Sequence, residues 1–154
     1  MDFRLHWRNL TIYCGLTWSR TQYGVHSTLS DGQHLLLWDF DGVPFGHVVA
    51  ALRGQQRTYN LPQITILQSS AGEHYHAYCF ARRSFLDAVG VIGGTPSVDP
   101  NYWKLGIYRG YWTLRISPRA DSTFRALLTL PSQVADECTP DDVINGAVYW
   151  TRRL

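Results

Sequence analysis

Short stretches of alternating apolar and polar residues dominate this chain, interrupted by two segments with helical spacing. Residues 10–13 and 16–18 are β-prone, and residues 23–29 alternate apolar with polar. Ser30-Asp31-Gly32 reads as a turn that feeds an apolar run ending in acids, His34-Leu35-Leu36-Leu37-Trp38-Asp39-Phe40-Asp41-Gly42. Residues 42–46 form a bend, and residues 46–57, carrying Val48, Val49, Ala51 and Leu52, read as a short amphipathic helix. Pro62 stops that region, and residues 64–69 make a second buried strand. A four-residue turn at 70–73 returns the chain antiparallel through 74–80, with His74, His76, Tyr78 and Phe80 on one face. Residues 82–91 read as a helix closed by Gly93-Gly94-Thr95-Pro96. Val98-Asp99-Pro100 precedes a loop, and residues 111–116 form a further strand before Pro118. Thr139-Pro140-Asp141-Asp142 has the form of a helix start, with Thr139 as N-cap.

The order strand, helix, strand, strand, helix, strand, with a hairpin in front, predicts an α+β fold. Its expected form is an open antiparallel sheet of RRM-like split β-α-β type, with helices on one face and an extra N-terminal hairpin. The second face of that sheet is then free to carry a site. With 154 residues and no repeat, linker or low-complexity segment, the chain is expected to form a single domain over 1–154.

Composition narrows the picture only at a few points. A hydrophobic fraction of 45% and an aromatic fraction of 14% exclude a disordered chain. The net charge of +2 is too small to argue for nucleic acid by itself. Lys104 is the only lysine, the remaining cations being arginines; arginine suits phosphate and base stacking, although a GC-rich genome produces the same bias. Cys14, Cys79 and Cys138 are far apart and odd in number, which argues against a disulfide framework or a zinc site. The expectation is a reduced, intracellular (cytoplasmic) protein without a membrane association, since no run of signal-peptide or membrane-spanning length occurs.

Two carboxylates one residue apart share a strand face, so Asp39 and Asp41 repel each other and lose hydration at the end of a buried strand. A hard divalent cation relieves that repulsion; solvent at a strand end does the same, and the pair alone does not choose. Three features change the balance. Ser69, Gly72 and His76 surround the hairpin turn, Asp99 lies before the last strand, and that strand carries Arg115, which must find an anion. Carboxylates sharing metal ions beside a histidine and an arginine are what nucleotidyl transfer requires.

In that order, the motifs resemble the catalytic core of the archaeo-eukaryotic primase (primase-polymerase) superfamily, plasmid and viral type. The apolar strand ending Asp39-Phe40-Asp41 matches its first motif. Ser69-Ser70-Ala71-Gly72-Glu73-His74-Tyr75-His76 matches the small-residue turn and histidine of its second. Val98-Asp99 followed by Leu114-Arg115-Ile116 matches its third, and Arg119 stands where many members have a lysine. The resemblance covers about residues 34–119. It implies Mg2+ or Mn2+ on Asp39, Asp41 and Asp99, with these as the catalytic residues, and nucleotide phosphates near Ser69, Gly72, His76, Arg115 and Arg119. It further implies a single-stranded DNA template, nucleoside triphosphates and other replication proteins as partners, in the replication of a plasmid, virus or mobile element. Members usually carry a further helical or zinc-bearing domain, so unaided priming is not expected.

Two other readings use overlapping residues. His74-Tyr75-His76 has the His-hydrophobe-His form of HUH-type rolling-circle initiator endonucleases, which need a nucleophilic tyrosine; Tyr102-Trp103-Lys104 offers one at imperfect spacing. Alternatively, Tyr75, Tyr102, Trp103, Tyr108, Tyr111 and Trp112 beside Arg109 and Arg115 suit a non-catalytic module for single-stranded nucleic acid.

Overall fold

A computed structural model describes residues 2–7, 10–15, 19–117, 124–139, 142–143 and 147–152. The chain is mixed α+β, with antiparallel sheets and, among the described residues, three helices. Strands β1 (Asp2–Trp7) and β2 (Leu10–Gly15) pair as an antiparallel hairpin whose first strand lies ahead of the strands expected from residue 10 onwards; the stretch expected at 16–18 lies outside the described residues.

The main sheet contains β4 (His34–Asp41), β5 (Ile64–Gln68), β6 (His74–Arg83) and β8 (Arg125–Leu130), in the order β4-β6-β5-β8. Alternation along β4 decides its two faces. Leu36, Trp38 and Phe40 join Ile64, Ile66 and Ala77 in a core closed by two helices. These are α1 (Phe45–Thr58), through Val48 and Leu52, and α2 (Phe85–Gly93), through Ala88, Val91 and Ile92. Trp38 Nε1 donates to Thr95 Oγ1 at 2.8 Å, which in turn donates to the Val91 carbonyl, so the buried indole has a polar partner. The second helix starts at Phe85 and not at Arg82 because Ser84 is the N-cap, its side chain accepting from the Asp87 N–H, while β6 runs on to Arg83.

Opposite the helices, the sheet face is not open along its whole length. Leu35, Leu37 and Tyr78 pack with Leu29, Leu114 and Cys138 into a second buried cluster. Leu114 comes from β7 (Thr113–Arg115) and Val25, packed against the same cluster, from β3 (Ser19–His26); these strands belong to a separate three-stranded sheet, β7-β3-β9, with β9 (Ala147–Arg152). The strand expected over 111–116 is therefore a short edge strand that pairs with β3, not a member of the acidic sheet. The fourth strand of the acidic sheet is β8, beside β5 at the edge away from β4, and the apolar pattern did not reveal it.

The segment after Asp99 is the clearest departure from expectation. It is a helix, α3 (Pro100–Arg109), not a loop. Its Asp99 N-cap, Pro100 in the first turn and left-handed Gly110 at the C-terminal end (φ 81°) are all standard stop and start signals. The helix start expected at Thr139 falls partly outside the described residues; there the Thr139 N–H and Oγ1 both donate to the Asp142 carboxylate. No helix among the described residues is long and apolar enough to cross a membrane.

Candidate metal centre

Sheet register brings each acid of the Asp39-Phe40-Asp41 motif against a histidine. Asp39 lies opposite His76 and Asp41 opposite His74 in the antiparallel β4–β6 pair. Beyond Asp41 the chain turns away at Gly42 (φ 67°), whose N–H donates to the Glu73 carbonyl, closing the β4 end onto the hairpin turn. On the hairpin, Gly72 (φ 88°) supplies the left-handed residue, and its carbonyl accepts from Gln68 Nε2 at 2.9 Å.

β4 is an edge strand of its sheet, and its outer edge carries carbonyls that need donors. Helix α3 supplies them. The Asp99 N–H donates to the Asp39 carbonyl at 2.9 Å, and the Tyr102 hydroxyl to the Leu37 carbonyl at 3.3 Å. That docking sets the Asp99 side chain beside the strand acids. One Asp99 oxygen accepts from the Asn101 N–H at 2.9 Å as the helix cap, leaving the other oxygen of the carboxylate for further contacts.

Ligand oxygens of Asp39, Asp41 and Asp99 lie within 4.8 Å of one another. Among the described residues this is the sole group of three or more His, Cys, Asp or Glu side chains so arranged. Burial, then the charges of Asp41 and Asp99, push the Asp39 carboxyl up to about 7, against a smaller opposite effect of His74 and Arg115. Three clustered carboxylates of this kind are an oxygen donor set suited to Mg2+ or Mn2+.

Around the acids runs an open cleft of about 350 Å3. Asp39, Asp41, Ser69, Ser70, His74 and His76 line it from the main sheet, and Arg109, Thr113, Leu114 and Arg115 from α3 and β7. His74 Nδ1 is 2.7 Å from Asp41 Oδ1. His76 Nδ1 is 3.1 Å from the Arg115 carbonyl oxygen, which can only accept, so Nδ1 carries the hydrogen and Nε2 faces Asp39 Oδ1 at 3.5 Å. The Tyr78 hydroxyl donates to the same Arg115 carbonyl at 2.8 Å.

Arg115 is buried, and its guanidinium crosses from β7 to the hairpin turn. Its two terminal nitrogens donate to the carbonyls of Ser69 and Ser117, each at 2.7 Å. It therefore ties the hairpin turn to β7 while also lining the cleft. Arg109, exposed in the last turn of α3, is a second cation on the same cleft. The sequence named it only in the non-catalytic nucleic-acid reading and not beside the acids; the Asp-Pro start and glycine stop of α3 would have exposed its position.

Of the residues singled out in the sequence, Asp39, Asp41, Asp99, Ser69, His76 and Arg115 gather at this one end of the sheet. Gly72 shapes the adjoining turn, and Arg119 lies outside the described residues. The histidines of His74-Tyr75-His76 divide between two acids, and Tyr102 bonds a β4 carbonyl from inside α3. No family model matches the chain, and neither a characterised protein nor a solved structure is significantly similar to it. The case for function rests on this geometry.

Proposed function

We propose that the chain is a metal-dependent nucleotidyltransferase core of the primase-polymerase type, acting in DNA replication of a plasmid, virus or mobile element. The observation that carries this reading is the convergence of Asp39, Asp41 and Asp99 within 4.8 Å at a cleft that also holds Arg109 and Arg115. The single strand β4 and the start of α3 contribute the three acids, so they meet only in the folded chain. The β4-β6-β5 pairing also agrees with the first three strands of a split β-α-β sheet, while β8 is added beside β5 and not beside β4, where a fourth strand of that sheet would lie.

Asp39, Asp41 and Asp99 hold Mg2+ or Mn2+ in this reading. A metal held there would supply the Lewis acidity that nucleotidyl transfer from a nucleoside triphosphate needs. The protein's own share is positioning and charge. Arg109 offers an exposed guanidinium to the triphosphate, and Arg115 holds the Ser69 turn at the cleft wall. His74 orients the Asp41 carboxylate through its hydrogen bond. The template is single-stranded DNA.

Primer extension on a single-stranded template with nucleoside triphosphates and Mn2+ tests the proposal. Extension is expected from the wild type and not from Asp39→Ala combined with Asp41→Ala. Extension that survives the double substitution, or a wild type that binds Mn2+ without extending a primer, removes it.

A further inference from the structure

Helix α3 turns an aromatic and cationic side to solvent beside the cleft. Tyr108 is 89% exposed and Leu105 44% exposed, with Lys104 and Arg109 also on the surface. Lys104 and Tyr108 are four residues apart, as are Leu105 and Arg109, so the four side chains form two adjoining rows of one patch. Arg109 at its end lines the acidic cleft. The patch is therefore continuous with the proposed metal centre.

The fold does not need these side chains. The helix is held by its other side, where Trp103 Nε1 donates to the Val89 carbonyl at 3.1 Å, Tyr102 reaches Leu37, and Gly106 abuts Trp112. Residues 100–117 carry Lys104, Arg109 and Arg115 and no acid. An exposed tyrosine ring between two cations, on a segment without any acid, complements a polyanion that presents flat apolar rings. Single-stranded nucleic acid meets that description; in a duplex the bases already stack on one another.

We infer that this face of α3 binds single-stranded nucleic acid, with a base stacked on Tyr108 and a backbone phosphate on Lys104, the strand leading towards Arg109 at the cleft. The binding stands independently of catalysis; only the strand's direction, towards the acids, rests on the nucleotidyltransferase reading.

Fluorescence anisotropy of a labelled oligothymidylate, with the full chain in EDTA and no nucleotide, tests it. Tyr108→Ala is expected to weaken binding about tenfold while Tyr108→Phe keeps it, since the ring and not the hydroxyl stacks. Lys104→Ala is expected to lower the slope of log affinity against log salt by about 0.7, the effect of one phosphate contact to a single strand. Affinity unchanged in Tyr108→Ala, equal affinity for duplex of the same length, or no oligothymidylate binding alongside Tyr108-dependent binding to phosphatidylserine vesicles would each overturn the inference. Because EDTA strips metal, a chain that shows Tyr108-dependent binding but never extends a primer loses only the polymerase reading. Extension with Tyr108-independent binding loses only this surface.

Discussion

The backbone N–H of Asp99 donates to the backbone carbonyl of Asp39 at 2.9 Å, and this bond joins two parts of the chain 60 residues apart (99 − 39) into one acidic site. It makes the start of α3 the cover for the β4 edge. Asp99 consequently has two roles, helix cap and third carboxylate, which substitution can separate.

Asp99→Asn keeps a side-chain oxygen for the Asn101 N–H and is expected to leave metal-free stability within a few tenths of a kcal/mol, whereas Asp99→Ala loses about 1 kcal/mol. Both variants are expected to lose Mn2+ affinity, because both remove a charge from the triad. Thermal melts with and without Mn2+, together with a calorimetric titration, check the split. Undiminished Mn2+ affinity in Asp99→Asn would take this residue out of the metal site.

Asp39 sets a pH dependence whose sign follows from its raised pKa of about 7. The unfolded carboxyl titrates near its ordinary value of 3.8. Between those two values the folded chain binds the proton more tightly, so Asp39 lowers stability progressively as pH rises and does so fully above pH 7. Metal-free Asp39→Asn is thus expected to exceed the wild type in stability at neutral pH, and the difference is expected to shrink by up to about 1.4 kcal/mol per unit as pH falls towards 4. The depressed pKa values of half-buried His26 and buried His34 act in the opposite direction below their ordinary value, but they cancel in this comparison. Saturating Mn2+ is expected to stabilise the wild type and not the variant. Denaturant melts across that range measure both effects.

Arg115 and Arg109 are expected to fail differently. Arg115→Lys cannot reach the Ser69 and Ser117 carbonyls with one ammonium as the fork does, and is expected to cost about 1–3 kcal/mol of stability. Arg109→Ala, at an exposed position, is expected to shift stability by less than about 0.5 kcal/mol and to raise the KM for nucleoside triphosphate. Urea melts and steady-state extension kinetics distinguish them.

Gly106→Ala tests how firmly α3 sets the site. A Cβ there would collide with the indole of fully buried Trp112, at its Nε1, Cδ1 and Cε2 atoms. The expected cost is about 1–3 kcal/mol, with a loss of Mn2+ affinity as the Asp99 end of the helix shifts. Trp112→Leu removes both the obstructing ring and a buried Nε1 donor that has no acceptor among the described residues. The double variant is therefore expected to lose less than the sum of the two single ones, a coupling that a double-mutant cycle on thermal stability reads directly.

Much of the local structure was legible without the fold. Apolar alternation placed the strands at 34–41, 64–68 and 74–83 to within a few residues, and the i, i+4 spacing of Val48 and Leu52 found α1. The Asp39-Phe40-Asp41 pair and the hairpin turn between β5 and β6 were legible for the same reason, since side-chain direction in a strand depends only on parity. α3 was missed although Asp99, Pro100 and Gly110 mark its ends. Its apolar positions do not face a single layer: Tyr102 reaches both buried clusters while Leu105 and Tyr108 face solvent, which blurs the helical period.

What the sequence by itself determined, then, is which residues of each element share a face, because that depends on contacts within a few positions. Which elements become neighbours was decided only by tertiary structure. β8 joined the acidic sheet beside β5 and left the outer edge of β4 to Asp99 and Tyr102, β7 paired with β3, and Leu35, Leu37 and Tyr78 were covered rather than left open. Asp99 joined Asp39 and Asp41 through an edge-strand carbonyl that needed a donor, and Arg115 reached the hairpin turn from a different sheet. Unpaired backbone groups and buried cations must find partners wherever the chain supplies them, and sequence distance does not enter that requirement.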